Sequence, residues 1–433
     1  MAAFDPSRFQ FIADALQGVG GFSNGGYLVQ YPRESADKFE RRKAIAWYAN
    51  ALRPACQRFV GYLTKRPVYR EVTQPLLASF VDACTWNDDS LDVFWSSFMI
   101  DAKARGSLLL LVDMPAEDTE RTWPALTAIE PERVRRYRLN AQGRLAEVAF
   151  ADVLEIDGKE KPIERVYDET GWRVMDGEKI LQQGTHGLGV CPILPFTETG
   201  LFPTLGEFVT IADLSRRLYN LRSELDEILR AQTFSLLTYK VPADRFPLDL
   251  GPIAQSIGTH NLLQTFDAGA EFIAPPEGPA RVYLEVIAQV EGLMRQAALI
   301  VDIPSSGQQE SGVALQLRFQ ALNSSLVHFA RRMEDFERRV WEVVGLWLGI
   351  QPQINISWGQ DFSIADLKTE LEIAQNMAAL NAPPAYQQAK LKQLIQLDLA
   401  TLPEEELAAV LEAVDEAAQE VAVDAALSPS AAT

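Results

Sequence analysis

Residues 310–349 read ESGVALQLRFQALNSSLVHFARRMEDFERRVWEVVGLWLG. Leu315, Phe319, Leu322, Leu326, Phe329, Met333, Phe336, Val340, Val343 and Trp347 recur at spacings of four and three, so they line one face of a helix. At ~1.5 Å per residue a helix over 311–349 is roughly 55 Å long, far beyond the ~11–12 residues of an average globular helix. Two shorter stripes of the same kind precede it. Ile211, Leu214, Leu218, Leu221, Leu225 and Ile228 form one; Val286, Val290, Leu293, Ala297 and Ile300 form the other. Long apolar-striped helices therefore dominate the second half of the chain.

Working outward, the segment 236–275 between the first two stripes holds strand-like runs, LLTYKV and NLLQTF, broken by Pro242, Pro247, Gly251, Pro252, Gly258 and Gly269. Between the second and third stripes lies DIPSSGQQESG, polar and Gly/Ser-rich, a loop by composition. Downstream, helical segments 364–380, 385–397 and 403–421 are separated by Pro-containing breaks, and 423–433 is an Ala/Ser/Pro tail expected to be disordered. The first half differs. Residues 36–63 carry a helical pattern through Phe39, Ala46, Leu52, Phe59 and Leu63, and a second helix over 91–104 stops at Gly106. SLLLLVDMP then reads as a buried central strand, and 123–196 as antiparallel hairpins turning at Asp157-Gly158, Thr170-Gly171 and Asp176-Gly177. The fold class is α+β, helix-dominated.

The chain has 433 residues, 47% of them hydrophobic, which suffices for several folded parts at ~150 residues each. Lys and Arg number 40 against 59 Asp and Glu, for a net charge of −19. That is the wrong sign for gripping nucleic acid over the whole surface, because phosphate affinity comes from Lys and Arg. Cys56, Cys84 and Cys191 lack metal-ligand spacing and read as buried apolar side chains in a reducing compartment. Asp5, Arg8 and Asp14 interrupt the apolar N-terminus, which fits neither a signal peptide nor a membrane span.

Motifs that could carry chemistry are weak. Gly21-Phe22-Ser23-Asn24-Gly25 spells a nucleophile elbow but lacks the flanking strand and helix, and only His186, His260 and His328 could serve as its base; a flexible Gly-rich linker is the better reading. LLLLVD ending at Asp113 has the form of an apolar strand plus magnesium ligand, yet the sequence contains no phosphate loop, so Asp113 reads as a strand-end turn residue. Asn87, Asp88, Asp89 and Asp92 read as N-cap and first-turn residues rather than metal ligands. Arg331, Arg332, Arg338 and Arg339 alternate with acids on the long helix, as in a salt-bridged face. No catalytic, cofactor or metal site is expected.

In its order of elements the chain resembles the portal proteins of tailed bacteriophages. YPRESADKFERRKAIAWYANALRPACQRFVGYLTKRP looks like that family's N-terminal helix and loop, ARGSLLLLVDMP like its glycine and apolar strand, GVCPILPF with GLFPTLGEFVTIADLSRRLYNLRSELDEILRAQ like the strand entering the first stem helix, and residues 310–349 like the long helix after the channel loop. The likeness spans about 27–399; a short clip-like module and a channel loop without Lys or Arg depart from the pattern.

The resemblance implies an N-terminal arm at 1–35, a wing at 36–202 and 312–358, stem helices at 203–233 and 278–301, a clip at 234–277, a channel loop at 302–311, a crown at 359–422 and the tail at 423–433. It further implies a homo-oligomeric ring, usually of twelve subunits, at one capsid vertex of the virion, assembled in the host cytoplasm, through which double-stranded DNA is packaged and ejected. Implied partners are the terminase large subunit, a head-completion or adaptor protein, and capsid and scaffold proteins, with no membrane and no cofactor. On this reading Pro304, Ser305, Ser306, Gly307, Gln308, Gln309 and Glu310 contact DNA in the channel. Lys240, Asp244, Arg245, Phe246 and His260 dock the terminase on the clip, and Leu322, Leu326, Phe329, Met333, Phe336 and Val340 pack against neighbouring subunits. The alternatives are a metal-dependent nuclease or hydrolase using Asp88, Asp89 or Asp113, and a non-viral coiled-coil scaffold.

Overall fold

In the computed structural model the chain begins with helix α1 (Ser7–Gln17), whose Phe11, Ile12, Ala15 and Leu16 are buried in the main core. The structure describes residues 5–65, 67–115, 121–156, 158–233, 236–240, 262–265, 271–273, 278–300 and 312–359, with 362, 383, 387–388, 391–392, 395 and 409–414. Two units are present, Met1–Phe362 and Ser363–Thr433. Of the second unit only a few helical positions are described, so the crown and tail assignments lie almost wholly outside the described residues.

Within the residues expected to form an arm, Phe11, Ile12, Ala15, Leu16, Phe22 and Leu28 are part of the main core. The Gly-rich stretch after α1 is likewise a built turn, not a loose linker. Gly20, at φ +57, sits where a Cβ would strike the Asp14 carboxylate, and Phe22 is buried with its ring stacked 4.0 Å from that of Tyr48. Helices α2 (Ala36–Ile45) and α3 (Leu52–Leu63) replace the single helix read over 36–63. The break has a side-chain cause: Asn50 accepts from the Arg53 N–H at 3.1 Å and donates to the Leu16 carbonyl at 2.8 Å, while the Tyr48 hydroxyl donates to the Ala15 carbonyl at 2.9 Å. Asn offers the backbone an alternative to the helix ladder, and the tie to α1 fixes it there.

Strand β1 (Tyr69–Val72) and helix α4 (Pro75–Asp82) lead to α5 (Leu91–Arg105), which ends on Gly106 at φ +80. Strand β2 (Ser107–Asp113) is the central member of a sheet in which β3 (Ala125–Ile129) and β9 (Ile193–Thr197) flank it, both antiparallel. Its unbroken apolar run follows from two cores, since side chains alternate between the faces of a strand. Leu108, Leu110 and Val112 face the main core, and Leu109 and Leu111 face a smaller one with Val148, Phe150 and Ile193. That smaller core lies under a five-stranded antiparallel meander of β4 (Val134–Leu139), β5 (Leu145–Ile156), β6 (Lys159–Asp168), β7 (Gly171–Asp176) and β8 (Lys179–Thr185), in that order. The hairpins fall where the turn residues point, with one shift: Asp168 Oδ1 accepts from the N–H groups of Thr170 and Gly171, so the turn sits ahead of Gly171, which already belongs to β7.

Helix α6 (Val209–Thr233) leads to a small sheet in which β10 (Leu236–Lys240) is central, parallel to β11 (Leu262–Thr265) and antiparallel to β12 (Glu271–Ile273). Helix α7 (Gly278–Ala297) packs back along α6, and the 37-residue helix α8 (Gly312–Leu348) follows. Strand β13 (Ile354–Ser357) closes the unit by pairing antiparallel with β1. The protein is thus a mixed helix-and-sheet fold.

From Leu322 to Val344 the stripe on α8 is covered by its own chain. Phe329 meets Phe59 at 5.6 Å and Phe196 at 5.4 Å, and Phe336 stacks on Phe98 at 5.6 Å. Leu322, Leu326, Phe329, Met333, Phe336 and Val340 are all buried within the single chain, which corrects their assignment to subunit packing. Over this stretch α3, α5 and the β3–β2–β9 sheet supply the partner surface.

Candidate functional site

Helices α6 and α7 form an antiparallel pair joined through β10–β12. Along their shared face Ile211, Leu218, Leu221 and Leu225 meet Ile287, Val290 and Met294, all buried. Leu293, read as part of the α7 stripe, points away and is 52% exposed; Met294 takes its place. Two polar contacts set the register: Arg222 Nη2 donates to Glu291 at 2.8 Å, and the Tyr283 hydroxyl donates to Glu224 at 2.8 Å. The segment before α2 is tied to the outside of α6. Val29 N–H donates to Asn220 Oδ1 at 2.9 Å, Asn220 Nδ2 donates to the Tyr27 carbonyl at 3.0 Å, and the buried Arg42 pairs with Glu34 at 2.8 Å while reaching the Val29 carbonyl.

The joint between this pair and the body is built around Lys103. Its ammonium is fully buried, bonded to Glu198 at 2.5 Å and Glu207 at 2.9 Å, and lies 4.2 and 4.5 Å from the ring centres of Phe59 and Phe208. Ser325 of α8 donates to Glu207 at 3.0 Å, so one cation links α5, the entry to α6 and the long helix. Beside it the backbones of Gly106 and Gly206 touch; a Cβ on Gly106 would stand 1.9 Å from Gly206 N, which no side-chain shift relieves. A second buried ion site, Glu337 of α8, accepts from Arg70 at 2.6 Å and from the Trp358 indole at 2.9 Å, fastening the β1–β13 pair to the long helix. A lysine, arginine or glutamate inside an apolar helical pattern is the only sequence signal for these ties, and periodicity alone passes over it.

Other residues singled out by the sequence have ordinary surroundings. Ser23 donates to the Gly20 carbonyl at 2.9 Å, and His186 is hydrogen-bonded to the Asp168 carbonyl at 3.0 Å, so the structure does not bring them together. Asp113 ends β2 as expected, accepting from Met114 N–H at 3.0 Å and from the Tyr167 hydroxyl at 3.0 Å. Burial pushes its carboxyl above the usual range, and the Tyr167 and Met114 bonds counteract this. Asn87, Asp88 and Asp89 belong to a turn in which Thr85 Oγ1 accepts from the N–H groups of Asn87 and Asp89, and Asp92 pairs with Arg70 at 2.5 Å. Among the described residues no group of three or more His, Cys, Asp or Glu could hold a metal, and no helix is long and apolar enough to cross a membrane. In the basic band Arg332 donates to the Thr197 carbonyl at 2.8 Å and Arg338 pairs with Glu334 at 2.5 Å. Pro304 to Glu310 and the clip residues Asp244, Arg245, Phe246 and His260 lie outside the described residues, and Lys240 is described only as the end of β10.

No protein-family model matches the chain, and no curated protein matches it. Among solved structures it is similar to a chain in the virion of a native gene transfer agent particle, at 14% identity over 86% of this chain and 95% of that one, with a TM-score of 0.41. It is also similar to a chain in the neck of an empty gene transfer agent particle computed with C6 symmetry, at 11% identity over 84% and 95%, with a TM-score of 0.43. A third likeness is to a chain in the neck of a native gene transfer agent particle computed with C12 symmetry, at 12% identity over 88% and 94%, with a TM-score of 0.39.

Proposed function

We propose that this chain is a portal-type head-to-tail connector, a subunit of a ring that conducts double-stranded DNA and carries out no reaction of its own. The observation that carries the reading is the α6/α7 pair, which exposes Leu229 by 44%, Val282 by 57%, Leu284 by 56% and Leu293 by 52%. Apolar side chains in such number on a two-helix element mark a surface built to be covered, and copies arranged head to tail around an axis cover it without leaving a free edge. Connectivity supports the same reading: a mixed body, a helix out, a small sheet, a helix back and a long helix through the body is the order in which the resemblance puts wing, stem, clip, stem and wing. On this reading the clip docks a terminase that supplies the motor and later an adaptor, and the loop between α7 and α8 meets the DNA.

Particle mass and a negative-stain view test it. A ring of about a dozen copies with an axial hole is expected. A dimer instead points to a scaffold, and a monomer with metal-dependent activity lost in Asp89→Ala or Asp113→Ala points to an enzyme.

A further inference from the structure

Seven residues on from the Arg222–Glu291 pair along both helices stand Leu229 and Leu284, so these four share one flank of the α6/α7 pair. On α7 the flank runs Leu284, Glu291, Arg295, at spacings of seven and four. Val282, Gln289 and Leu293, each two positions earlier, run parallel to it about 200° further round the helix. The pair thus has two sides that each carry exposed apolar residues. The Leu284 side is concave at its base, where Ala49, Ala51, Leu218, Arg222, Met294 and Ala298 line a pocket of about 230 Å³. Trp47 stands at its rim, 54% exposed, with its ring centre 4.5 Å from the Arg222 guanidinium. On the Val282 side Leu293 is 52% exposed and stands at the level of the pocket, since the next residue, Met294, lines it.

We infer that this pocket is an assembly socket filled by Leu293 of a second copy of the chain, with Trp47 and the Arg222–Glu291 pair as its rim. The inference rests on the ring reading and adds which faces meet. Rotation about an axis running along the helix pair preserves height, so the Leu293 of one copy arrives at the pocket level of the next. A pocket on one side and an exposed leucine on the other make a heterologous contact, which generates a ring where the rotation closes, whereas a two-fold contact stops at a dimer. A cavity of ~150 Å³ admits a ring as large as benzene, so the isobutyl group fits. A tryptophan and an arginine around a leucine-filled pocket is the composition of an interface anchor.

Two variants, each damaging one side, test it on the full-length chain. Leu293→Asp puts a carboxylate on the exposed Leu293 side, and Ala298→Trp fills the socket; Leu293 lies outside the core, and Ala298 packs against its edge. Each alone is expected to lose the ring and run as a folded monomer, with unchanged far-UV circular dichroism. Mixed in equal amounts they are expected to form a dimer of twice the monomer mass and nothing larger, because each keeps one sound side. Leu293→Ala should raise the concentration of half-assembly by about tenfold. Wild-type rings that survive Leu293→Asp, or a mixture of two folded variants that stays monomeric, overturn the socket and leave the ring reading standing. A wild-type chain that is itself monomeric at micromolar concentration overturns both.

Discussion

Lys103 illustrates how single buried charges decide this fold. Its two carboxylate partners come from the segment between β9 and α6, and Glu198 is buried like the lysine. Removing one partner of a buried pair leaves an unpaired charge in the core, at a cost of about 3–5 kcal/mol. Lys103→Met should therefore lower the denaturant midpoint sharply, and adding Glu198→Gln should restore part of the loss; a single variant as stable as wild type would refute the joint. The cysteines make a second prediction. Burial pushes the thiols of Cys56, Cys84 and Cys191 up to about 12 from 9.0. The folded chain then keeps protons that the unfolded chain releases above pH 9, so each thiol's contribution to stability is intact below that value and declines as pH rises towards 12, by up to ~1.4 kcal/mol per pH unit. Urea titrations should show a shallower alkaline decline for the triple Cys→Ala variant. Iodoacetamide at pH 8 should label none of the three until the chain is unfolded.

At the level of elements, what the sequence made legible was periodicity. The α8 stripe, the α6 stripe, the buried β2 and the hairpins over 145–185 all appear where spacing and turn residues put them. What it concealed was which surface covers which stripe, because a helix pattern gives a buried face but no partner. Phe329 and Phe336 looked like residues for a neighbouring subunit, whereas Phe59, Phe98 and Phe196 of the same chain cover them. The break between α2 and α3 was hidden for a similar reason, since Asn50 interrupts the helix only in concert with the end of α1. Much of the site expected at the clip and channel loop lies outside the described residues, and the α6/α7 flanks were not separable until Leu293 and Met294 exchanged roles. One consequence is testable. Phe336→Asp puts a carboxylate with no partner into the main core, which removes several kcal/mol, comparable to the whole stability of an ordinary domain. The expected outcome is insoluble or unfolded chain rather than folded monomer, judged by soluble yield and circular dichroism. Folded Phe336→Asp monomers that merely fail to assemble would return that stripe to the interface.

Over the whole molecule, charge constrains how a ring of this chain would meet DNA on the proposed connector reading. The net charge is −19. On and beside the five-stranded sheet, where cations gather, acids hold several of them: Arg136 pairs with Glu164, Arg165 and Arg133 with Asp152, Lys161 with Asp176, and Arg173 with Asp168. Tight binding to duplex DNA requires several Lys or Arg to displace counterions, and each such contact steepens the salt dependence. A conduit gains from lacking them, because DNA bound at many phosphates would resist translocation. Assembled particles at ~0.15 M salt should therefore leave a short duplex unretarded in a gel, with affinity weaker than ~10⁻⁴ M. Lowering the salt should strengthen binding only weakly, with a log–log slope smaller in magnitude than about 2. Micromolar retardation with a steep slope would mean that a cationic surface is presented to DNA, and a freely sliding channel would then have to be abandoned in favour of a gripping one.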